Sequence, residues 1–289
     1  MIPLDAAWRA THPIKAIDAG TDKDARGRLL VVGGSAHVPG AIALTGEAAL
    51  RVGAGKIQLA TIASAAIPLG VRFPEARVLA LPEDAAGEIA DDPPQTLEQA
   101  LTRVDVALIG PGMTDKAAAA RLVSRVAQGP VEVPMILDAA AVACLHGMET
   151  VLEPLRGRLV MTPHPGEMAG LLGCDEDEVR SDLQRHAGDV ARRFGAVVVL
   201  KDAQSVIAPA RGDLLQYAGG GPGLGTGGSG DVLVGAIGGL VARGLPLFDA
   251  AAWGVWLHGE AGRTLAMRSG PVGFLARELP PLLSGLLPR

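Results

Sequence analysis

The chain has 289 residues, with 26 Lys and Arg against 31 Asp and Glu and a formal net charge of −5. A composition of 48% hydrophobic and 20% charged residues is globular with room for a large core, and an acidic balance without a basic block argues against a nucleic-acid backbone as partner. Aromatic residues at 3% offer no stacking platform for single strands, and the uncharged run Val232 to Ala242 is too short for a bilayer, which takes about 18 residues.

The first 26 residues read as polar and irregular. They begin Met1-Ile2-Pro3-Leu4-Asp5, with no basic stretch ahead of an apolar core, so no secretory signal is expected and the expected compartment is the cytoplasm. Arg28 to Val32 reads as a strand, followed by a Gly-rich loop, a helix over Ala41 to Val52, a Gly53-Ala54-Gly55 stop and a second strand over Lys56 to Thr61. Further strands are predicted at Arg77 to Leu81, Val104 to Ile109, Pro134 to Asp138, Arg158 to Met161, Ala196 to Leu200, Ser205 to Ala208 and Leu214 to Tyr217. Helices are predicted over Asp115 to Gln128, Glu167 to Leu172, Asp175 to Phe194, Asp231 to Arg243, Leu247 to Arg268 and Phe274 to Leu286. Residues 82–95, rich in Asp, Glu and Pro, read as an exposed loop. Cys144 and Cys174 form neither a CxxC nor a zinc pair and are expected as reduced thiols.

Strands alternating with helices imply one α/β domain, residues 1–289, with a mostly parallel sheet and helices on both faces. The strands are short continuous apolar runs, which suits burial on both faces. Ligands of such sheets gather at the carboxyl ends of the strands, so the loops there carry the functional signal.

The densest loop is Gly219-Gly220-Gly221-Pro222-Gly223-Leu224-Gly225-Thr226-Gly227-Gly228-Ser229-Gly230-Asp231. Glycines let backbone N–H groups close around an anion, and the positive end of the following helix adds attraction. Asp231 there is either a helix cap or a base poised beside the anion. Thr162-Pro163-His164-Pro165-Gly166-Glu167 follows a strand and holds an imidazole between two prolines, either as a rigid helix entry or as a ligand contact. No second His or Cys lies at ligand spacing from His164, so no protein-built metal centre is expected. Gly33-Gly34-Ser35 through Pro39-Gly40-Ala41, and Gly110-Pro111-Gly112, offer close backbone approach after two further strands. Lys201 closes a buried strand, to meet a phosphate or simply solvent, and Asp138 closes another, to cap a helix or face the site. Together these loops read as an enzyme for a phosphorylated or nucleotide ligand, with Asp231 as the best-placed base.

These motifs resemble those of the ADP/ATP-dependent NAD(P)H-hydrate dehydratase family, which has a ribokinase-like fold. The resemblance runs from about Arg26 to about Gly262. It implies a nucleotide-dependent dehydration of hydrated NADH and NADPH, in which the added 6-hydroxyl is phosphorylated and loss of phosphate restores the dihydropyridine ring. Asp231 would deprotonate the hydroxyl. Gly227, Gly228, Ser229 and Gly230 would form the anion hole for the transferring phosphoryl group. Ala41, Gly112, His164 and Asp231 match hydrate-contacting positions, and Lys201, Asp202, Ala203, Gln204, Ser205 and Gly230 match positions holding the adenine nucleotide. The resemblance also implies ADP or ATP as donor, Mg²⁺ held mainly by phosphates and water, a homotetramer, and a separate epimerase, since the chain is too short to include that domain. Three positions depart from the pattern: Asp202 stands where a glycine is usual, Gly221 where an asparagine is usual, and Ala140 where an aspartate is usual. The alternatives are a ribokinase-like kinase of a sugar, hydroxymethylpyrimidine or thiazole, and a nucleotide binder without catalysis. The shared Gly-rich motif does not separate them, whereas the His164 and Gly33 loops favour the dehydratase.

Overall fold

The structure is a computed structural model that describes residues 1–18, 20–90, 95–129 and 132–288. Ten strands form one sheet: β1 (Ile2–Pro3), β2 (Arg28–Val32), β3 (Lys56–Ile62), β4 (Arg77–Leu81), β5 (Val106–Ile109), β6 (Met135–Leu137), β7 (Leu159–Met161), β8 (Val197–Leu200), β9 (Gln204–Ala208) and β10 (Leu215–Ala218). Their order across the sheet is β1-β10-β9-β8-β7-β6-β5-β2-β3-β4. From β4 through to β8 every pairing is parallel, and β9 is antiparallel to both of its neighbours. The chain runs outward through β2, β3 and β4, then returns to lay β5 on the other side of β2. The helices that follow β2 and β5 pack on opposite faces of the sheet, and the carboxyl edge at such a switch point is where ligands of open α/β sheets gather.

Both faces of the sheet are covered. Leu29 and Val31 of β2 join one apolar cluster and Leu30 and Val32 the other, and all four are fully buried. The period-two alternation of side chains explains the uniformly apolar strands, because each face needs its own set. Helices Ala41–Arg51, Ser229–Ala242 and Leu247–Ser269 pack on the first face, and Lys116–Ala127, Pro165–Leu172 and Leu183–Phe194 on the second. No helix among the described residues is long and apolar enough to cross a membrane.

Several elements differ from the sequence reading. Within the first 26 residues, Asp5 caps a helix over Ala6–Thr11, whose Trp8 is buried, and Ile2–Pro3 extends the sheet beside β10. The predicted helix Asp175 to Phe194 is two helices, Glu176–Ser181 and Leu183–Phe194. Asp182 breaks it and starts the second by accepting from the Arg185 N–H. Phe274 to Leu286 is likewise a 3₁₀ turn, Ala276–Glu278, followed by a helix over Pro280–Leu286. A helix over Ala63–Arg72, with Pro68 and Gly70 inside it, follows β3 directly. The loop expected at 82–95 is not uniformly exposed. Glu88 is 1% exposed, and one of its carboxylate oxygens accepts from the Thr114 and Asp115 N–H groups. Residues 91–94 of that loop lie outside the described residues.

Candidate active site

At the carboxyl edge the loops after β2 and β5 meet through backbone. The Gly34 N–H donates to the Pro111 carbonyl at 2.7 Å, which locks the loop after β2 onto the loop after β5. Gly112 has φ +72°, and a Cβ there would lie 2.9 Å from the Ala41 Cβ and 2.5 Å from the Val38 carbonyl oxygen. Ala41 begins its helix at that point, so Ala41 and Gly112 touch. Leu44, one turn along, reaches the Gly-rich loop: a Cβ on Gly228 would lie 2.7 Å from its Cδ1.

The helix that follows the Gly-rich loop starts at Ser229, two residues earlier than expected. Its N-cap is Gly228 in the left-handed region, φ +90°, and no side chain caps the end. Asp231 is therefore not a cap. The N–H groups of Gly230 and Asp231 have no protein partner among the described residues. Such free N–H groups at the positive end of a helix form an anion site. Gly227, Gly228, Ser229 and Gly230 thus surround this end.

Behind it lies a charged cluster drawn from four elements. The Lys201 ammonium, at the end of β8, is 2.8 Å from Asp138 Oδ1 and 3.7 Å from Glu167 Oε2. A Cβ on Gly230 would lie 3.6 Å from Lys201 Nζ. Asp138 is 3% exposed and also lies 2.6 Å from the Thr162 hydroxyl, so its carboxylate carries the ion pair and is no helix cap. Lys201 has not run out to solvent: its side chain is 19% exposed and its pKa is raised, with the Asp138 and Glu167 charges outweighing burial. Asp231 shares this environment. Burial, then repulsion from Asp138, pushes its carboxyl up to about 7 against the pull of Lys201, and Glu167 adds to the rise. Ala139, next to Asp138, has φ +50°, the one positive φ at a non-glycine among the described residues. Backbone strain of this kind concentrates at functional sites.

His164 takes the first of the two roles the sequence allowed for, a rigid helix entry. Its Nδ1 accepts from the Gly166 and Glu167 N–H groups, while Glu167 Oε2 accepts from the His164 N–H in return, a capping box that starts helix Pro165–Leu172. That network assigns the ring proton to Nε2, which lies 3.3 Å from Glu167 Oε1. The ring is more than half exposed. The Lys201 N–H donates to the Pro163 carbonyl at 2.8 Å, tying this loop to the hairpin after β8.

That hairpin holds Lys201 to Ser205. The Ser205 hydroxyl donates to the Asp202 carbonyl, and Gln204 accepts from the Gln216 amide. Asp202 is neutralised by Arg180, 2.8 Å away, and accepts from the Ala203 N–H at 2.7 Å. Arg180 also holds Glu176. The departure at Asp202 therefore places a salted pair beside the site, not a bare charge. Arg180 was missed in the sequence because its partner is far away in the chain. Ala140 begins a short helix and is buried. Gly221 has φ +78° with open space where a Cβ would sit. Among the described residues no group of three or more His, Cys, Asp or Glu side chains would hold a metal ion.

Comparison with known proteins adds the following. The family model for NAD(P)H-hydrate dehydratase matches residues 29–283. An ADP-dependent (S)-NAD(P)H-hydrate dehydratase of Xanthomonas campestris is 47% identical over 284 residues, covering 98% of this chain and 95% of the relative. The solved structure of the ADP/ATP-dependent NAD(P)H-hydrate dehydratase of Bacillus subtilis, co-crystallised with ATP and Mg²⁺, is 27% identical with a TM-score of 0.78, covering 98% and 96% of the two chains. A ribokinase-like superfamily protein of Enterococcus faecalis is 28% identical with a TM-score of 0.77, covering 94% and 90%. The fold is therefore ribokinase-like.

Proposed function

The chain belongs to the NAD(P)H-hydrate dehydratase family, and from that membership we propose that it restores NADH and NADPH from their hydrates in a nucleotide-dependent reaction. The observation that carries the reading is Asp231: an uncapped carboxyl, pushed up to about 7, in the first helical turn beside free N–H groups.

In this reading the hydrate lies against Ala41, Gly112 and His164, and the nucleotide lies over Lys201 to Ser205 and Gly230. Asp231 accepts the proton of the 6-hydroxyl as that oxygen attacks the terminal phosphoryl group. A base with a pKa near neutrality is matched to this task. The phosphoryl oxygens meet the N–H groups around Gly228 to Gly230, fixed donors that need no reorganisation as charge builds. With ADP as donor the products of this step are AMP and the phosphate ester. Loss of phosphate from C6 and of the C5 proton then regenerates the double bond. Mg²⁺ would be held here mainly by the phosphates and water, with the hard carboxylate oxygens of Glu167 and Asp231 as the protein groups available to it, and it would supply charge neutralisation. Lys201 adds one fixed cation, already oriented by Asp138.

The same reading puts the enzyme in the cytoplasm as a homotetramer. The experiment that tests the function mixes the protein, Mg²⁺ and NADH hydrate with ADP, with ATP, or with neither, and follows reduced-nicotinamide absorbance. A nucleotide-dependent rise is expected and names the donor. No rise with either nucleotide would overturn the reading in favour of a kinase or a binder.

A further inference from the structure

Ser229 is the first residue of its helix, one position past the Gly228 N-cap, and its hydroxyl caps no N–H group. Its Oγ lies 2.9 Å from Nε2 of His258, on helix Leu247–Ser269, and both residues are buried, at 4% and 8% exposed. Gly254, one turn earlier on the same helix face, lets the two helices close: a Cβ there would lie 2.5 Å from Ile237 Cγ1. The Ser229 N–H donates to the Thr226 carbonyl, so hydroxyl and amide are both committed and the residue is pinned from two sides. Gly228 before it and Gly230 after it supply no side chain to hold the turn.

We propose that His258 is a positioning residue for phosphoryl transfer: its hydrogen bond to Ser229 fixes the amino end of helix Ser229–Ala242, and with it the donor N–H groups of Gly230 and Asp231 and the Asp231 carboxyl. The pair is not a nucleophile and its base, because both members are buried behind the anion site. Burial holds the imidazole neutral, down to about 4, against the opposing bond to the Ser229 backbone, and the nearby Lys201 charge acts in the same direction as burial. A neutral ring adds no charge behind the anion hole, so it acts through geometry alone. Displacement of reacting groups by about 1 Å is enough to cost about a hundredfold in rate.

This inference rests on the dehydratase reading, and wild-type turnover tests that reading first. The variants His258→Leu, His258→Gln, Ser229→Ala and His258→Leu/Ser229→Ala are then compared for kcat, for KM of hydrate and ADP, and for thermal unfolding. His258→Leu is expected to lower kcat roughly tenfold to a hundredfold, with both KM values within about twofold. The Gln amide is expected to recover part of the loss, and the double variant is expected to be no slower than the slower single one, since both remove one bond. Should His258→Leu fail to fold, Ser229→Ala and His258→Gln decide alone. An unchanged kcat in Ser229→Ala, a loss confined to KM, or additive losses in the double variant would overturn the positioning role while leaving the function intact. An inactive wild type would overturn both.

Discussion

At the scale of single residues the site is a problem of three carboxylates and one ammonium. Asp138 and Lys201 neutralise each other, and Asp231 is left with burial and two like charges, so it holds its proton to about 7. On the proposed role of Asp231 as base, kcat/KM is expected to rise with pH through about 7 and then level, because only the ionised carboxyl would accept the hydroxyl proton. Asp231→Asn is expected to remove that limb together with turnover. The consequence for stability has the opposite sign. Between about 4 and about 7 the folded chain keeps a proton that the unfolded chain releases, so raising the pH through this window destabilises the fold. Asp231→Asn is therefore expected to melt above wild type, by a margin that widens from pH 5 to pH 7.5. A variant melting at or below wild type at pH 7.5 would show that the carboxylate is not under this stress. The residue types at Asp138, Lys201 and Asp231 were readable from their strand-end and helix-start positions. What each was doing was not, because choosing between cap and site requires knowing that Gly228 is the N-cap and that Lys201 bends back to Asp138.

Elements turn those residues toward each other. Asp231, Gly235 and Gly239 are spaced four apart, so they share one face of helix Ser229–Ala242. A Cβ on Gly235 would lie 2.2 Å from the Thr45 carbonyl oxygen, and one on Gly239 would lie 2.5 Å from Val52 Cγ2. The absent side chains let this helix lie directly on Ala41–Arg51, and that contact carries Asp231 toward the Ala41 end. Gly235→Val would force the helices apart, with a stability loss of about 1–3 kcal/mol. Activity is expected to fall further than stability accounts for, in folded protein well below the unfolding transition. Urea midpoints and kcat on the same preparation separate the two, and a destabilised variant with full kcat would sever the packing from the chemistry. Long amphipathic helices were legible because their apolar spacing is set by one face. The helix Ala63–Arg72 was not, since Pro68 and Gly70 interrupt its pattern and no loop separates it from β3. The break at Asp182 hid for the opposite reason: the apolar periodicity continues across it while one aspartate restarts the backbone.

Across the whole molecule, the order of the sheet decides where chemistry is possible. The path through β2, β3, β4 and back to β5 puts the switch point at the carboxyl ends of β2 and β5, and helices from both faces start at this edge: Ala41–Arg51 and Ser229–Ala242 from one, Pro165–Leu172 from the other. A nucleotide bound here touches groups that belong to both halves of the core, so its binding is felt by the entire fold. A ligand at a hundred times its Kd adds about 2.7 kcal/mol to the folded state. For a chain of this size that is a melting shift of roughly 4 °C. ADP is therefore expected to raise the melting temperature of wild type and of Asp231→Asn alike, since the base is not what holds the phosphates. Lys201→Met is expected to lose most of that shift and to melt lower even without ligand, because it leaves Asp138 buried without its cation. Equal ADP shifts in Lys201→Met and wild type would place the nucleotide elsewhere on the molecule. A lost shift in Asp231→Asn would instead give Asp231 a binding role, and the division between the residue that holds the donor and the residue that takes the proton would have to be redrawn.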